Sequence, residues 1–222
     1  MADADRPREV AGYPVRVEHL QFGTLTVKLL VVDQLERYVD RETLLRDSSP
    51  VEPPYWAHLW TASRALARHI ASRDGWHDKH VVDIGCGLGL LSAIAALKRA
   101  NVTAIDMAPE AVAMAGANAE LNHCRISARV ADFRKDSLGA TFDYCLAADV
   151  TYDPSLQDAL AGFLDQHLAA DGTAWCAESV RTRDAGFRDA CAARGLHVSD
   201  VELTEIEEDR PVVVRVAEIK RR

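Results

Sequence analysis

The stretch from Val81 to Leu91, Val-Val-Asp-Ile-Gly-Cys-Gly-Leu-Gly-Leu-Leu, constrains the fold more than any other segment of the chain. Its first four residues are mostly β-branched and read as a short buried strand. Three alternating glycines follow, and then an apolar run over residues 90–100 that reads as a helix. Glycine tolerates positive φ and lets another group approach the backbone closely. A turn that opens a helix also points peptide N–H groups outward, toward any anionic or polar ligand. In a doubly wound sheet such a turn lies at the carboxyl edge of the strands, where ligands collect. One glycine would indicate only a tight turn, whereas three in alternation favour a ligand loop.

The pattern continues as strand and helix in alternation. Strands are predicted over residues 102–105, 126–130, 142–147 and 173–177, with helices over 109–122, 154–169 and 185–194. Alternation of this kind needs crossover connections, hence a mainly parallel sheet with helices on both faces. Residues 197–206 and 212–219 are two strand-like runs joined by a short connection, which implies an antiparallel pair. Ahead of the glycine loop, residues 15–32 suggest a β-hairpin turning near Gly23. Residues 56–72 carry apolar positions at helical spacing, and residues 1–12 read as a loose polar tail. The expected architecture is therefore α/β: a Rossmann-like, doubly wound, seven-stranded sheet, mostly parallel with an antiparallel C-terminal pair, plus an N-terminal hairpin and helix extension. One domain is expected over 1–222, with the extension and first helix in 1–75 and the α/β core in 76–222.

Composition narrows the partners. A formal net charge of -8 over 222 residues disfavours nucleic acid, whose phosphates would be repelled. The five cysteines are irregularly spaced, with no Cys-x-x-Cys pair, as expected of a reducing cytoplasm. The first residues show no secretory signal, and no apolar run reaches the length of a membrane span, so a cytoplasmic protein without membrane association is expected. The histidines form no His-Glu-x-x-His motif or comparable spacing, and no metal is expected. Oligomeric state is left open.

The ligand of the glycine loop follows by comparing motifs. A dinucleotide fingerprint needs a small residue where Leu90 stands, and a phosphate-cradling loop needs a Gly-Lys-Ser/Thr that does not follow. What remains is a Gly-x-Gly-x-Gly loop preceded by Asp83 and followed, at the end of the next strand, by Asp106. A carboxylate at that place can accept both ribose hydroxyls of an adenosine, although alone it would read as a helix cap. Asp132, at the third strand edge, is either an acceptor for an adenine amino group or an exposed loop acid.

On these residues the chain resembles the class I, seven-β-strand S-adenosylmethionine (SAM)-dependent methyltransferases, over roughly residues 55–219. The resemblance implies that Gly85, Gly87 and Gly89 admit the methionine part of SAM and that Asp106 holds its ribose. It implies further that Met107 packs on the adenine and that Asp132 lies near the adenine amino group. Asp83, Cys86, Phe133 and Ala148 complete the implied cofactor-binding set.

The fourth core strand runs into Asp149-Val150-Thr151-Tyr152-Asp153-Pro154. A carboxylate and a phenol three positions apart can bind an ammonium group through charge, a hydrogen bond or the ring face. The alternative is a turn-capping Asp149 with a packing Tyr152. Asp153 reads simply as the cap of the next helix. Together with Pro53 to Trp60, Asp149 to Tyr152 is similar to the Asp-x-x-Tyr motif of the family 16 protein lysine methyltransferases, which include the electron transfer flavoprotein β-subunit lysine methyltransferase. That resemblance implies Asp149 and Tyr152 as catalytic residues, Trp60 near the cofactor, and a protein lysine as methyl acceptor. A nucleic-acid amino methyltransferase motif is a poorer match, because Glu52 stands at its first position and the acceptor strand ends in Ala-Asp-Val-Thr-Tyr. Residues 179–183 are expected either to line the substrate entrance or to form a solvated loop. The alternatives to a lysine acceptor are a small-molecule N- or O-methyltransferase and a catalytically idle SAM-fold module that binds a partner protein.

Overall fold

A computed structural model describes residues 8–38, 54–179, 185–207 and 209–221. Pro53, Glu52 and residues 180–183, named above, lie outside them. The elements in chain order are β1 (Arg8–Val10), β2 (Tyr13–Phe22), β3 (Leu25–Val32), α1 (Thr61–Ala71), β4 (His80–Ile84), α2 (Leu90–Leu97), β5 (Asn101–Asp106), α3 (Pro109–Leu121), β6 (Ser127–Val130), β7 (Phe142–Ala148), α4 (Pro154–His167), β8 (Leu168–Ser179), α5 (Ala185–Ala193), β9 (Leu196–Glu207) and β10 (Arg210–Arg221).

The large sheet has the order β6-β5-β4-β7-β8-β10-β9. Its first five strands are parallel, and β10 inserts between β8 and β9, antiparallel to both. Strands covered on both faces need apolar side chains throughout, and β4 is buried from Val81 to Ile84. One covering layer holds α1, α2 and α3, with the small N-terminal sheet packed on it, and the other holds α4 and α5. From β4 the chain steps outward to β5 and β6, then returns to β7 on the other side of β4. The strand order reverses there, which opens a crevice beyond the carboxyl ends of β4 and β7. The glycine loop leaves one of these strands and the Asp149 loop leaves the other.

Two expectations ahead of the glycine loop are corrected. Residues 8–10 belong to the predicted tail but pair with β2 as a third strand, Val10 opposite Tyr13, so the hairpin is a three-stranded sheet. The helix expected over 56–72 begins only at Thr61. Tyr55–Ala57 instead form a 3-10 turn, and His58 turns extended at ψ 135°. The Trp60 indole donates to the Tyr55 carbonyl at 3.0 Å, holding a loop where apolar spacing suggested helix. Leu59 and Trp60 fit a helical stripe in number only.

The helix after the glycine loop ends three residues early, at Leu97, because Arg99 adopts a left-handed φ of 69°. Its N–H reaches the Ala96 carbonyl, and the Ala100 N–H reaches that of Ala95, closing the helix by a Schellman motif.

Candidate active site

At the crevice lies a cleft of about 520 Å³, within the range of about 300–1,000 Å³ common for small-molecule sites. Its wall includes Gly85, Cys86 and Gly87 from the glycine loop, and Asp106 and Met107 from the end of β5. Asp132, Phe133 and Arg134 follow from the loop after β6, and Ala148, Asp149 and Tyr152 from the loop after β7. Trp60 stands at the rim with Tyr55 and His58. Sequence positions that lie far apart are thus brought to one edge of the sheet.

The glycine loop is held by protein contacts on its own account. Gly85, Gly87 and Gly89 have φ of 65°, 50° and 74°. A Cβ on Gly87 would come within 2.9 Å of the Trp56 carbonyl oxygen, and one on Gly89 within 2.7 Å of Ala115 on α3. Gly89 therefore serves the packing of α2 on α3, while Gly85 and Gly87 face the cleft.

Asp83 is fully enclosed. One of its carboxylate oxygens accepts both the Ser92 N–H (3.0 Å) and the Ser92 hydroxyl (2.6 Å), tying the end of β4 to the first turn of α2. Burial pushes its carboxyl up to about 6 against those two hydrogen bonds, and nearby Asp106 adds to the rise. This folded value exceeds the ordinary Asp value of about 3.9. At this group the native state therefore binds more protons than the unfolded state between about pH 4 and 6, so its contribution to stability falls as pH rises through that window. Asp83→Asn keeps an acceptor for Ser92 and removes the titration. Relative to wild type it should gain on the order of 2–3 kcal/mol between pH 4 and pH 7 in urea unfolding; a pH-independent difference would contradict burial as the cause.

Asp106 is nearly buried, which also raises its carboxyl. It accepts the Gly87 N–H and the Ala108 N–H, each at 3.0 Å. The same carboxylate expected to meet a ribose thus also fixes the glycine loop and the start of α3. Met107 beside it is 57% exposed, an apolar surface open to the cleft.

Asp132 is not a free loop acid. The Arg134 guanidinium grips it in a fork, Nε to Oδ1 at 2.8 Å and Nη2 to Oδ2 at 2.6 Å, and the Arg134 N–H adds a third bond. Arg134 holds the carboxyl down to about 2, so it is ionised at any working pH. Arg134 was missed in the sequence, although its i+2 spacing from Asp132 is the available signal.

Asp149 adopts a left-handed φ of 52°, uncommon outside glycine and best tolerated by Asp and Asn. Its N–H donates to the Ala177 carbonyl at 2.9 Å, and its carboxylate receives the Ser179 N–H at 3.4 Å. Neighbouring β8 thus fixes its position. Tyr152 is 74% exposed at the mouth. Asp153 caps α4 by accepting the Ser155 N–H at 2.8 Å. His58, also missed, stacks edge-on against Trp60 with ring centroids 4.6 Å apart. Burial lowers its pKa, and Glu207 partly offsets this.

Strand order and the reversed β10 give the chain the fold shared by the solved methyltransferase structures it superposes on. Residues 55–148 match the family described as the methyltransferase small domain. The chain is 33% identical over 153 residues to the electron transfer flavoprotein beta subunit lysine methyltransferase of Danio rerio, covering 67% of this chain and 57% of that protein. It is 28% identical over 197 residues to the ribosomal protein L11 methyltransferase of Acetivibrio thermocellus, covering 86% of this chain and 59% of that protein. The chain thus spans somewhat more than half the length of these two relatives. Among solved structures, the ribosomal protein L11 methylase of Lactobacillus delbrueckii subsp. bulgaricus superposes with a TM-score of 0.59 at 22% identity, over 80% of this chain and 92% of that one.

Among the described residues no helix is long and apolar enough to cross a membrane.

Proposed function

We propose that this chain transfers a methyl group from SAM to the side-chain amine of a lysine in a protein substrate. The observation that carries the proposal is the convergence on the crevice of the glycine loop after β4, Asp106 at the end of β5, and Asp149 with Tyr152 after β7, the neighbour of β4.

The residues present fit SAM. Gly85 and Gly87 leave backbone exposed to the cleft, and Met107 offers an apolar face for a ring. Asp106 supplies a carboxylate to ribose hydroxyls, and Asp132 keeps acceptor capacity beyond its fork with Arg134. When bound, SAM supplies an already activated methyl group, so positioning is the main task left to the protein.

Asp149 would orient the incoming amine by charge, and Tyr152 would align it by a hydrogen bond or through its ring face. A lysine with an ordinary pKa of about 10.4 must lose a proton before it attacks, and partial desolvation in the cleft lowers that value. Asp149 opposes this by favouring the ammonium form, so it is a positioning carboxylate rather than a general base, and the proton leaves to water.

A protein acceptor is supported by the exposure of Tyr152, Trp60 and Tyr55 at the mouth, where a large partner can reach them. The two relatives described above are named for protein substrates, which also favours a protein acceptor. The test is incubation of cell lysate with the enzyme and methyl-labelled SAM. Label is expected in the protein fraction and, after hydrolysis, in methylated lysine; label confined to small molecules would contradict the lysine acceptor.

A further inference from the structure

We propose that the N-terminal sheet is a brace for the cofactor loop and that Asn118 is the positioning residue coupling the two. This rests on the cleft being a SAM site.

Strand β3 presents an outer edge that β2 does not pair, and α3 lies along it. An open edge needs partners for its peptide groups. Two side-chain amides supply them. Asn122 accepts the Lys28 N–H at 2.9 Å and donates to the Lys28 carbonyl at 2.6 Å. Asn118 accepts the Leu30 N–H at 2.5 Å and donates to the Leu30 carbonyl at 3.1 Å. The spacing explains the match: four helical residues advance about 6 Å, and two strand residues advance about 6.7 Å. Each amide thus stands in for one peptide of a missing strand.

The two asparagines differ in their second amide hydrogen. Asn122 spends it on its own helix, at the Asn118 carbonyl. Asn118, with no exposed surface, donates it to the Leu88 carbonyl at 2.8 Å, between Gly87 and Gly89. A hydrogen-bonded path therefore runs from β3 through one amide into the cofactor loop. A second path is steric. Tyr13 of β2 packs edge-on against Trp56 at 5.3 Å, and the Trp56 carbonyl oxygen lies 2.9 Å from where a Gly87 Cβ would stand. The N-terminal sheet thus reaches the loop by two routes, through Asn118 and through Trp56.

Coupling of this kind is reciprocal. A ligand that needs this loop conformation must tighten the docking of the sheet, and loosening Asn118 must weaken the ligand.

The two asparagines provide a matched comparison. Asn118→Ala and Asn122→Ala each remove a latch on β3, but only the first frees Leu88. Titration with S-adenosylhomocysteine should show about tenfold weaker binding for Asn118→Ala and a change within about twofold for Asn122→Ala. Equal losses in both, or none in Asn118→Ala, would overturn the brace. Hydrogen exchange gives a readout that needs no ligand: the Gly89 amide, bonded to the Cys86 carbonyl at 2.7 Å, should exchange faster in Asn118→Ala than in Asn122→Ala. Equal exchange there also overturns the brace. Should Asn118→Ala fail to fold, wild type suffices. S-adenosylhomocysteine should slow exchange of the Leu30 amide, and an unchanged rate counts against coupling. Failure of wild type to bind this ligand would instead refute the cleft as a SAM site, and the Gly89 comparison would still decide the brace.

Discussion

Asp149→Asn is expected to lower turnover at least about a hundredfold while SAM affinity stays within a few fold, because the substitution removes charge and little else. Asparagine is the residue best able to replace aspartate at a φ of 52°. It keeps the N–H bond to Ala177 and an acceptor for the Ser179 N–H. The cofactor side of the cleft, on the ends of β4 and β5, is untouched. What disappears is the negative charge proposed to hold the amine. Single-turnover methylation of a protein substrate, measured beside cofactor affinity, separates the two effects. Unchanged turnover would remove Asp149 from the chemistry, and an equal loss of cofactor binding would make it a structural residue.

Gly89→Ala should destabilise the domain by about 2–5 kcal/mol in urea unfolding. About 1–2 kcal/mol comes from placing a side chain at left-handed φ, and about 1–3 kcal/mol from forcing a methyl into packed atoms. The added carbon would sit 2.7 Å from both Cα and Cβ of Ala115, so α2 or α3 must shift. Gly23→Ala isolates the first contribution. Its φ is 60° and the space beside it is open, so it should cost only about 1–2 kcal/mol. Equal costs at the two positions would mean that α2 and α3 are not packed through Gly89.

Much of the fold was legible because the strongest sequence signals are also the strongest physical constraints. The Val81 to Gly89 stretch is at once a buried strand and a turn that only glycine satisfies. Alternating apolar runs fixed the parallel core, and the short connection between residues 206 and 212 fixed the closing hairpin. What sequence did not reveal was set by tertiary partners. Residues 8–10 carry no strand pattern of their own and become β1 by pairing with β2. Trp60 matches a helical stripe, yet its indole bond to Tyr55 holds it in the loop before α1.

The site divides the same way. The placement of Asp106 and Asp149 was legible because one ends a strand and the other follows one, so both must lie at the carboxyl edge. The fork of Arg134 on Asp132 depends on side-chain direction, which spacing alone leaves open. Asn118 was less legible still. It sits inside an ordinary helical segment, and its value comes from a strand 88 residues away in sequence.

The central claim is that the crevice binds SAM, and calorimetric titration of the purified protein with SAM and with S-adenosylhomocysteine tests it most directly. Both should bind at one site per chain with dissociation constants in the micromolar range, on the order of -8 kcal/mol, and Asp106→Ala should weaken both. Absence of heat from either ligand with a folded protein, or binding indifferent to Asp106, would contradict it.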